Sequence, residues 1–213
     1  EVNICDIVRP ITKYTKFLND RNKIKEEFDK AIKISKSGRP GPVWLDLALE
    51  VQWQDTKVNK NEIKIINKSD HSNQIKNLDK IINVINKSKK PLFILGHGVK
   101  SSEIKTEKLR KFFKNSKIPF VLTWNTLDMF ETKMSENLGI IGMSGQRGAN
   151  KSVFNSDLLV CVGNHLSIPQ TTTLYDNYAN QAKKIIINID KYQLNNLNVS
   201  FDYKLNIDGK FFF

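Results

Sequence analysis

The sequence predicts an α/β fold in which a mainly parallel sheet is flanked by helices and preceded by a smaller, partial α/β piece. Two observations carry this prediction. From Leu92 onward, short apolar runs ending in glycine or a polar residue alternate with amphipathic helical stretches. Buried strands joined by helices form parallel sheets through crossover connections. Upstream, Gly38-Arg39-Pro40-Gly41-Pro42-Val43-Trp44-Leu45-Asp46 places a helix stop, a rigid turn and a strand next to one another.

Taken in order, Ile24, Phe28, Ala31 and Ile32 recur at helical spacing, which predicts a helix from near Asp20 to Ser37. Gly38 supplies the left-handed residue that commonly ends a helix, and Pro40 and Pro42 forbid its resumption. Val43 to Leu49 is nearly continuous apolar sequence and reads as a strand covered on both faces. Gln54 to Ser72 is dominated by Lys, Asn and Asp without periodicity, as a connection between domains would be. The expected division is therefore residues 1–55 as a partial first domain, 56–72 as a linker and 73–213 as a second domain.

Past the linker, Ile75, Leu78, Ile82 and Ile85 mark an amphipathic helix, and Leu92 to Leu95 a strand ending at Gly96-His97-Gly98. Ile104, Leu109, Phe112 and Phe113 lie on a charged helix, followed by a strand from Ile118 to Thr123. The stretch carrying Gly139, Gly142, Gly145 and Gly148 reads as a long irregular segment. Asp157 to Val162, ending at Gly163, and Ile185 to Asp190 complete the strand series.

Composition excludes several classes. No apolar run approaches the roughly 18 residues that span a bilayer, and residues 1–20 lack a signal peptide's apolar centre, so no membrane and a cytoplasmic location are expected. Cys5 and Cys161 are too few and too distant for a disulfide framework or zinc site and read as structural thiols. The formal charge of +12, from 34 basic and 22 acidic residues, invites a nucleic-acid reading. The lysines are scattered among Asn and Ile without aromatic interleaving, however, and solvated lysine faces explain them, so no nucleic-acid partner is expected. No pair of acids suggests general acid and base chemistry.

In an open parallel sheet, ligands collect outside the carboxyl ends of the strands. Gly96 and Gly98, Thr123 and Trp124, Gly163 and Asn164, and Asn188 to Asp190 mark those ends. Their backbone N–H groups suit a pyrophosphate, and Asp190 could accept from a ribose hydroxyl. Glycine turns that merely feed a strand into a helix are the competing reading. Gly96, Thr123, Gly163 and Asn188 should cluster at one sheet edge.

The Gly38 to Asp46 run, with Arg9-Pro10-Ile11-Thr12-Lys13-Tyr14 upstream, resembles the end of the pyrimidine-binding domain of thiamine-diphosphate-dependent enzymes, specifically the acetolactate synthase-like group. The later strands and helices resemble that family's central domain, in the correct order. The resemblance implies a 2-oxoacid decarboxylase and carboligase that uses thiamine diphosphate and Mg2+, takes a substrate such as pyruvate and works as a homodimer or homotetramer. It implies FAD as a candidate dinucleotide, with contacts at Arg39, Gly98, Thr123, Trp124, Gly142, Met143, Gly163, Ile189 and Asp208; Gly96 and Asn188 join these as strand-end positions. Arg39 should then face the crevice at the strand ends.

Lys13 matches a lysine near the substrate channel, and His97 could line the pocket. Asn164-His165-Leu166-Ser167 departs from the family pattern: His165 replaces an arginine, and Asn188 an aspartate, which weakens a diphosphate site because neutral histidine gives no comparable charge-assisted bond. An empty or differently occupied pocket is the alternative to FAD. Ile11 to Tyr14 and Leu166 to Thr171 look more like polysaccharide-associated relatives that transfer a two-carbon unit from pyruvate to a keto sugar than like the branched-chain amino-acid synthases. The family's catalytic glutamate and its Gly-Asp-Gly to Asn motif for magnesium and diphosphate have no match here, which predicts a fragment that is inactive alone and assigns it no catalytic or metal-binding residue. A stand-alone nucleotide-binding or regulatory module is the competing function.

Overall fold

The computed structural model describes residues 2–55, 78–173 and 175–213. The chain divides into two compact units, Glu1–Ser69 and Asp70–Phe213.

In the first unit, α1 (Ile4–Val8), β1 (Tyr14–Leu18), α2 (Ile24–Lys36), β2 (Val43–Leu47) and α3 (Leu49–Gln52) follow in order. The strands β1 and β2 pair in parallel, with Tyr14 opposite Val43 and Leu18 opposite Leu47. Helix α2 carries Glu26 and Glu27 in its first turn and Lys33 and Lys36 in its last, the charge order that its macrodipole favours. Gly38 stops it at φ +54°, a left-handed conformation that glycine adopts without steric cost. The expectation of a strand covered on both faces is corrected: β2 ends at Leu47 and Trp44 is 41% exposed.

The second unit begins its described part with α4 (Leu78–Lys87), then β3 (Pro91–Leu95), α5 (His97–Ser101), α6 (Thr106–Ser116), β4 (Phe120–Leu122), β5 (Asn137–Ile140), α7 (Arg147–Asn155), β6 (Leu158–Val162), α8 (Ile168–Thr171), β7 (Lys183–Ile187), α9 (Lys191–Asn195) and β8 (Tyr203–Leu205). All pairings are parallel, in the order β5-β4-β3-β6-β7-β8. Chain order therefore reverses between β3 and β6, the point at which doubly wound sheets open a crevice. The linker and the start of the helix at Ile75 lie outside the described residues.

Alternation along β3 divides the core. Phe93 and Leu95 enter one layer with Leu109, Phe113 and Phe120; Leu92 and Ile94 enter the other with Ile141, Leu159, Cys161 and Ile186. Both faces are thus buried, which explains why the strand runs are apolar throughout. In the first layer Phe113 lies 4.4 Å from Phe120 and 5.5 Å from Phe93, with Phe213 packed 5.2 Å from Phe112. The segment expected to be irregular is corrected: it contains β5 and α7. Gly139 takes φ +99° inside β5, whose pairing with β4 shifts register, and Gly142 takes φ +109° just after it, so these glycines lie within or beside short elements and do not mark an absence of structure.

Candidate cofactor site at the carboxyl edge of the sheet

Register fixes the site. Leu95 lies opposite both Leu122 and Val162, Val162 opposite Ile187, Ile187 opposite Leu205, and Leu122 opposite Ile140. The residues that follow, Gly96, Thr123, Gly163 and Asn188, therefore stand in one row at one edge, as the strand-end reading expected, and Asn206 joins them.

At the switch point backbone meets backbone. The Gly96 N–H donates to the Val162 carbonyl at 2.9 Å, the Gly98 N–H to the Gly163 carbonyl at 2.7 Å and the Gly163 N–H to the Ile187 carbonyl at 2.9 Å. A Cβ on Gly96 would lie 2.5 Å from the Gly163 carbonyl oxygen, one on Gly98 2.6 Å from the Gly163 Cα, and one on Gly163 2.5 Å from the Val99 nitrogen. These three glycines are required by packing between the β3 and β6 turns, whatever else binds there.

Around them runs an amide network. The Asn164 Nδ2 donates to the Ile94 carbonyl, the Asn188 Nδ2 to the Asn164 carbonyl at 3.2 Å, and the Asn206 Nδ2 to the Ile189 carbonyl at 2.8 Å. Asn164 is buried, yet its Oδ1 has no partner among the described residues. The backbone N–H groups of Asn164, His165 and Leu166 likewise lack an acceptor among them. Buried acceptors of this kind are normally satisfied. Three successive N–H groups after Gly163 and the buried Asn164 Oδ1 are thus without partners among the described residues.

The remaining predicted residues flank this row. Thr123 is buried, its N–H donating to the Leu95 carbonyl at 3.1 Å, while Trp124 next to it is 49% exposed. Gly142 is held by Asn150, whose Oδ1 and Nδ2 bond its N–H and carbonyl, both at 2.9 Å; the Met143 N–H donates to the Pro169 carbonyl, leaving the Met143 side chain 72% exposed. Asp208 accepts from the Lys210 N–H at 3.0 Å. The Asp190 carboxylate accepts from the Gln193 N–H and caps α9, so a role as ribose acceptor competes with a structural task. His97 is exposed at the start of α5. Nearby, the Lys100 ammonium bonds Asp128 at 2.5 Å and holds that carboxyl below its usual range, with His97 adding to the effect.

Lys13 and Arg39 belong to the other unit. There the Lys13 Nζ donates to the Ser37 carbonyl at 2.5 Å and the Arg39 carbonyl at 2.9 Å, just past α2, and burial lowers its pKa. Sequence reading passed over Asn206 and Asn150, which pin the strand-end loops. Their only sequence signal was an amide near a turn. Cys161 is fully buried, and burial pushes its thiol far above the ordinary range, as expected of a structural cysteine. Among the described residues no group of three or more His, Cys, Asp or Glu lies together as a metal site would require. No helix among them is long and apolar enough to cross a membrane.

Residues 78–208 match the family model described as thiamine pyrophosphate enzyme, central domain. The chain belongs to the thiamine pyrophosphate enzyme family. It is 29% identical to acetolactate synthase 2, chloroplastic, of Nicotiana tabacum over 98% of this chain and 32% of that protein. It is 32% identical to the probable acetolactate synthase large subunit of Methanococcus aeolicus over 99% of this chain and 35% of that protein. Against the Escherichia coli acetolactate synthase isozyme 1 large subunit it is 26% identical, over 91% of this chain and 34% of the relative. The chain thus spans about a third of the length of these relatives.

Proposed function

We propose that this chain supplies the central, cofactor-facing unit of an acetolactate synthase-like 2-oxoacid decarboxylase and carboligase, with pyruvate as the donor substrate. The observation that carries the reading is the coincidence of the family match over residues 78–208 with a 3-2-1-4-5-6 parallel sheet whose glycine and asparagine turns meet at one edge. Relatives that carry the synthase name align with nearly the whole chain. Use of the two-carbon unit in sugar or polysaccharide biosynthesis, and assembly as a homodimer or homotetramer, belong to the same proposal.

The carboxyl edge suits a dinucleotide, for which FAD is our candidate. The N–H groups of Asn164, His165 and Leu166 would hold its diphosphate, and the buried Asn164 Oδ1 would accept from a ligand donor. Trp124 and Met143 offer exposed apolar surface on the same edge. Thiamine diphosphate, when bound in such enzymes, supplies the nucleophilic carbon that makes 2-oxoacid decarboxylation feasible. The described residues offer no cluster suited to its magnesium ion, so no step through it is assigned to this chain. What these residues do is bind and orient: the glycine contacts keep the edge rigid, and the neutral amides hydrogen-bond without adding charge.

Incubating the chain with pyruvate, thiamine diphosphate and Mg2+ tests the division of labour. The expected result is no acetolactate or carbon dioxide above background, and sustained turnover would overturn it. FAD binding by the same preparation would separate the dinucleotide reading from the family assignment, which does not depend on it. A nucleotide-binding or regulatory module would gain if the chain bound FAD while its complete coding frame carried no thiamine diphosphate motif.

A further inference from the structure

The opposite, amino-terminal edge of the same sheet holds a cleft of about 470 Å³, within the size range of small-molecule sites. Lys89 and Lys90, which precede β3, and Lys117, which follows α6, line it together, and none of its lining residues is acidic. The side chains of Lys89 and Lys90 make no ion pair among the described residues. The Lys117 Nζ lies 3.6 Å from Glu136 Oε1. The nearby Asp157 is spent on holding the turn: it accepts from the Ser88 hydroxyl, from the Lys89 N–H at 2.8 Å and from the Lys90 N–H at 2.9 Å.

The floor is apolar. Leu92, Ile118, Pro119 and Leu138 supply it, and the Asn155 carboxamide on the wall has no partner among the described residues. Helices α6 and α7 end here, at Ser116 and Asn155, each bringing roughly half a negative charge. The carboxylates of Glu136 and Asp157 and these helix ends roughly offset the three ammonium groups in total, but neither acid lines the cleft, whereas Lys89, Lys90 and Lys117 all do. An anionic head group pairs with those lining lysines, and the apolar floor asks for a body behind the head. No aromatic residue lines the cleft for base stacking, which disfavours single-stranded nucleic acid.

We propose that this cleft binds a small organic carboxylate with an apolar body, at an edge separate from the cofactor site and independent of the function proposed above. The test is a 1H–15N NMR titration of the full chain with benzoate, using acetate and benzyl alcohol as probes lacking the body or the charge. Saturable shifts are expected at the amides of Lys90, Leu92, Ile118 and Leu138, with acetate and benzyl alcohol each at least about tenfold weaker. The Lys90→Glu, Lys117→Glu double variant should lose about tenfold in affinity, whereas Lys108→Glu, an exposed lysine outside the cleft, should leave it unchanged. Absence of saturable shifts, an equal response to benzyl alcohol, or benzoate shifts confined to the carboxyl edge would overturn the proposal. So would tighter binding of a heparin oligosaccharide at the same amides, which would mark the edge as a polyanion surface. The probe comparison on the unmodified chain decides the matter even if the double variant fails to fold.

Discussion

At the carboxyl edge of the six-stranded sheet, glycine backbones touch and asparagine side chains tie loop to loop with neutral hydrogen bonds. At the amino edge, 5 residues of strand away, a single carboxylate gathers the entry to β3 and lysines surround an open cleft. The first edge tolerates little change because its contacts are main chain to main chain, where nothing can rotate aside. The second depends on charge and should respond to pH and to substitution by degrees. The same sheet thus has one edge fixed by main-chain contacts and neutral amide bonds and another whose contacts depend on charge.

Gly163→Ala should have the largest effect. Its φ of +63° strains any other residue, and the added Cβ would meet the Val99 nitrogen at 2.5 Å and Gly98 carbons at 2.7 Å. A loss of about 3 kcal/mol or more is expected in urea denaturation. A loss below about 1 kcal/mol would mean that the two turns are less tightly joined than the geometry implies.

Asp157→Ala should cost about 2 kcal/mol, since it removes an acceptor shared by three donors. This edge also carries a pH signature. Burial raises the Asp157 pKa, but the hydrogen bonds from Ser88, Lys89 and Lys90 outweigh it, so the folded value lies below the ordinary one. Its contribution is therefore complete above the unfolded pKa of about 3.9 and is lost as pH falls through the folded value. Urea midpoints measured from neutral pH down to about pH 3 should fall, and Asp157→Asn should flatten that fall. An unchanged slope in the variant would contradict the assignment.

His165→Arg should tighten FAD binding about tenfold by restoring a fixed charge beside the neutral amides. Weaker binding would place the diphosphate elsewhere. The smallest effect is expected for Lys100→Ala: the ion pair with Asp128 is exposed, and the thermal midpoint should not move measurably.

These differences bear on what could be read in advance. The strands around Leu92, Leu158 and Ile185 were legible because a sheet buried on both faces needs continuous apolar runs, and their shared direction placed Gly96, Thr123, Gly163 and Asn188 on one edge. Strand β5 and helix α7 were hidden because Gly139, Gly142, Gly145 and Gly148 resemble a loop, although Gly139 lies inside β5 and Gly148 inside α7. The exposure of Trp44 was not legible, since an apolar run cannot report whether another layer packs over its face. The Asn164 orphan and its bond to Ile94 join residues 70 positions apart, and the cleft at Lys89, Lys90 and Lys117 exists only once α6 and β3 are packed. Asp190 shows a different limit: an aspartate opening a helix is first a cap, and the ribose role competes with that task.

The central claim is that the carboxyl edge holds the dinucleotide. A 1H–15N spectrum of the full chain recorded through a titration with FAD tests it most directly. Saturable shifts concentrated at Gly96, Gly98, Thr123, Gly163, Asn164, His165 and Asn188, with the amides of Lys90 and Ile118 unmoved, are the predicted result. No saturable shift, or shifts centred on the amino edge, would contradict it.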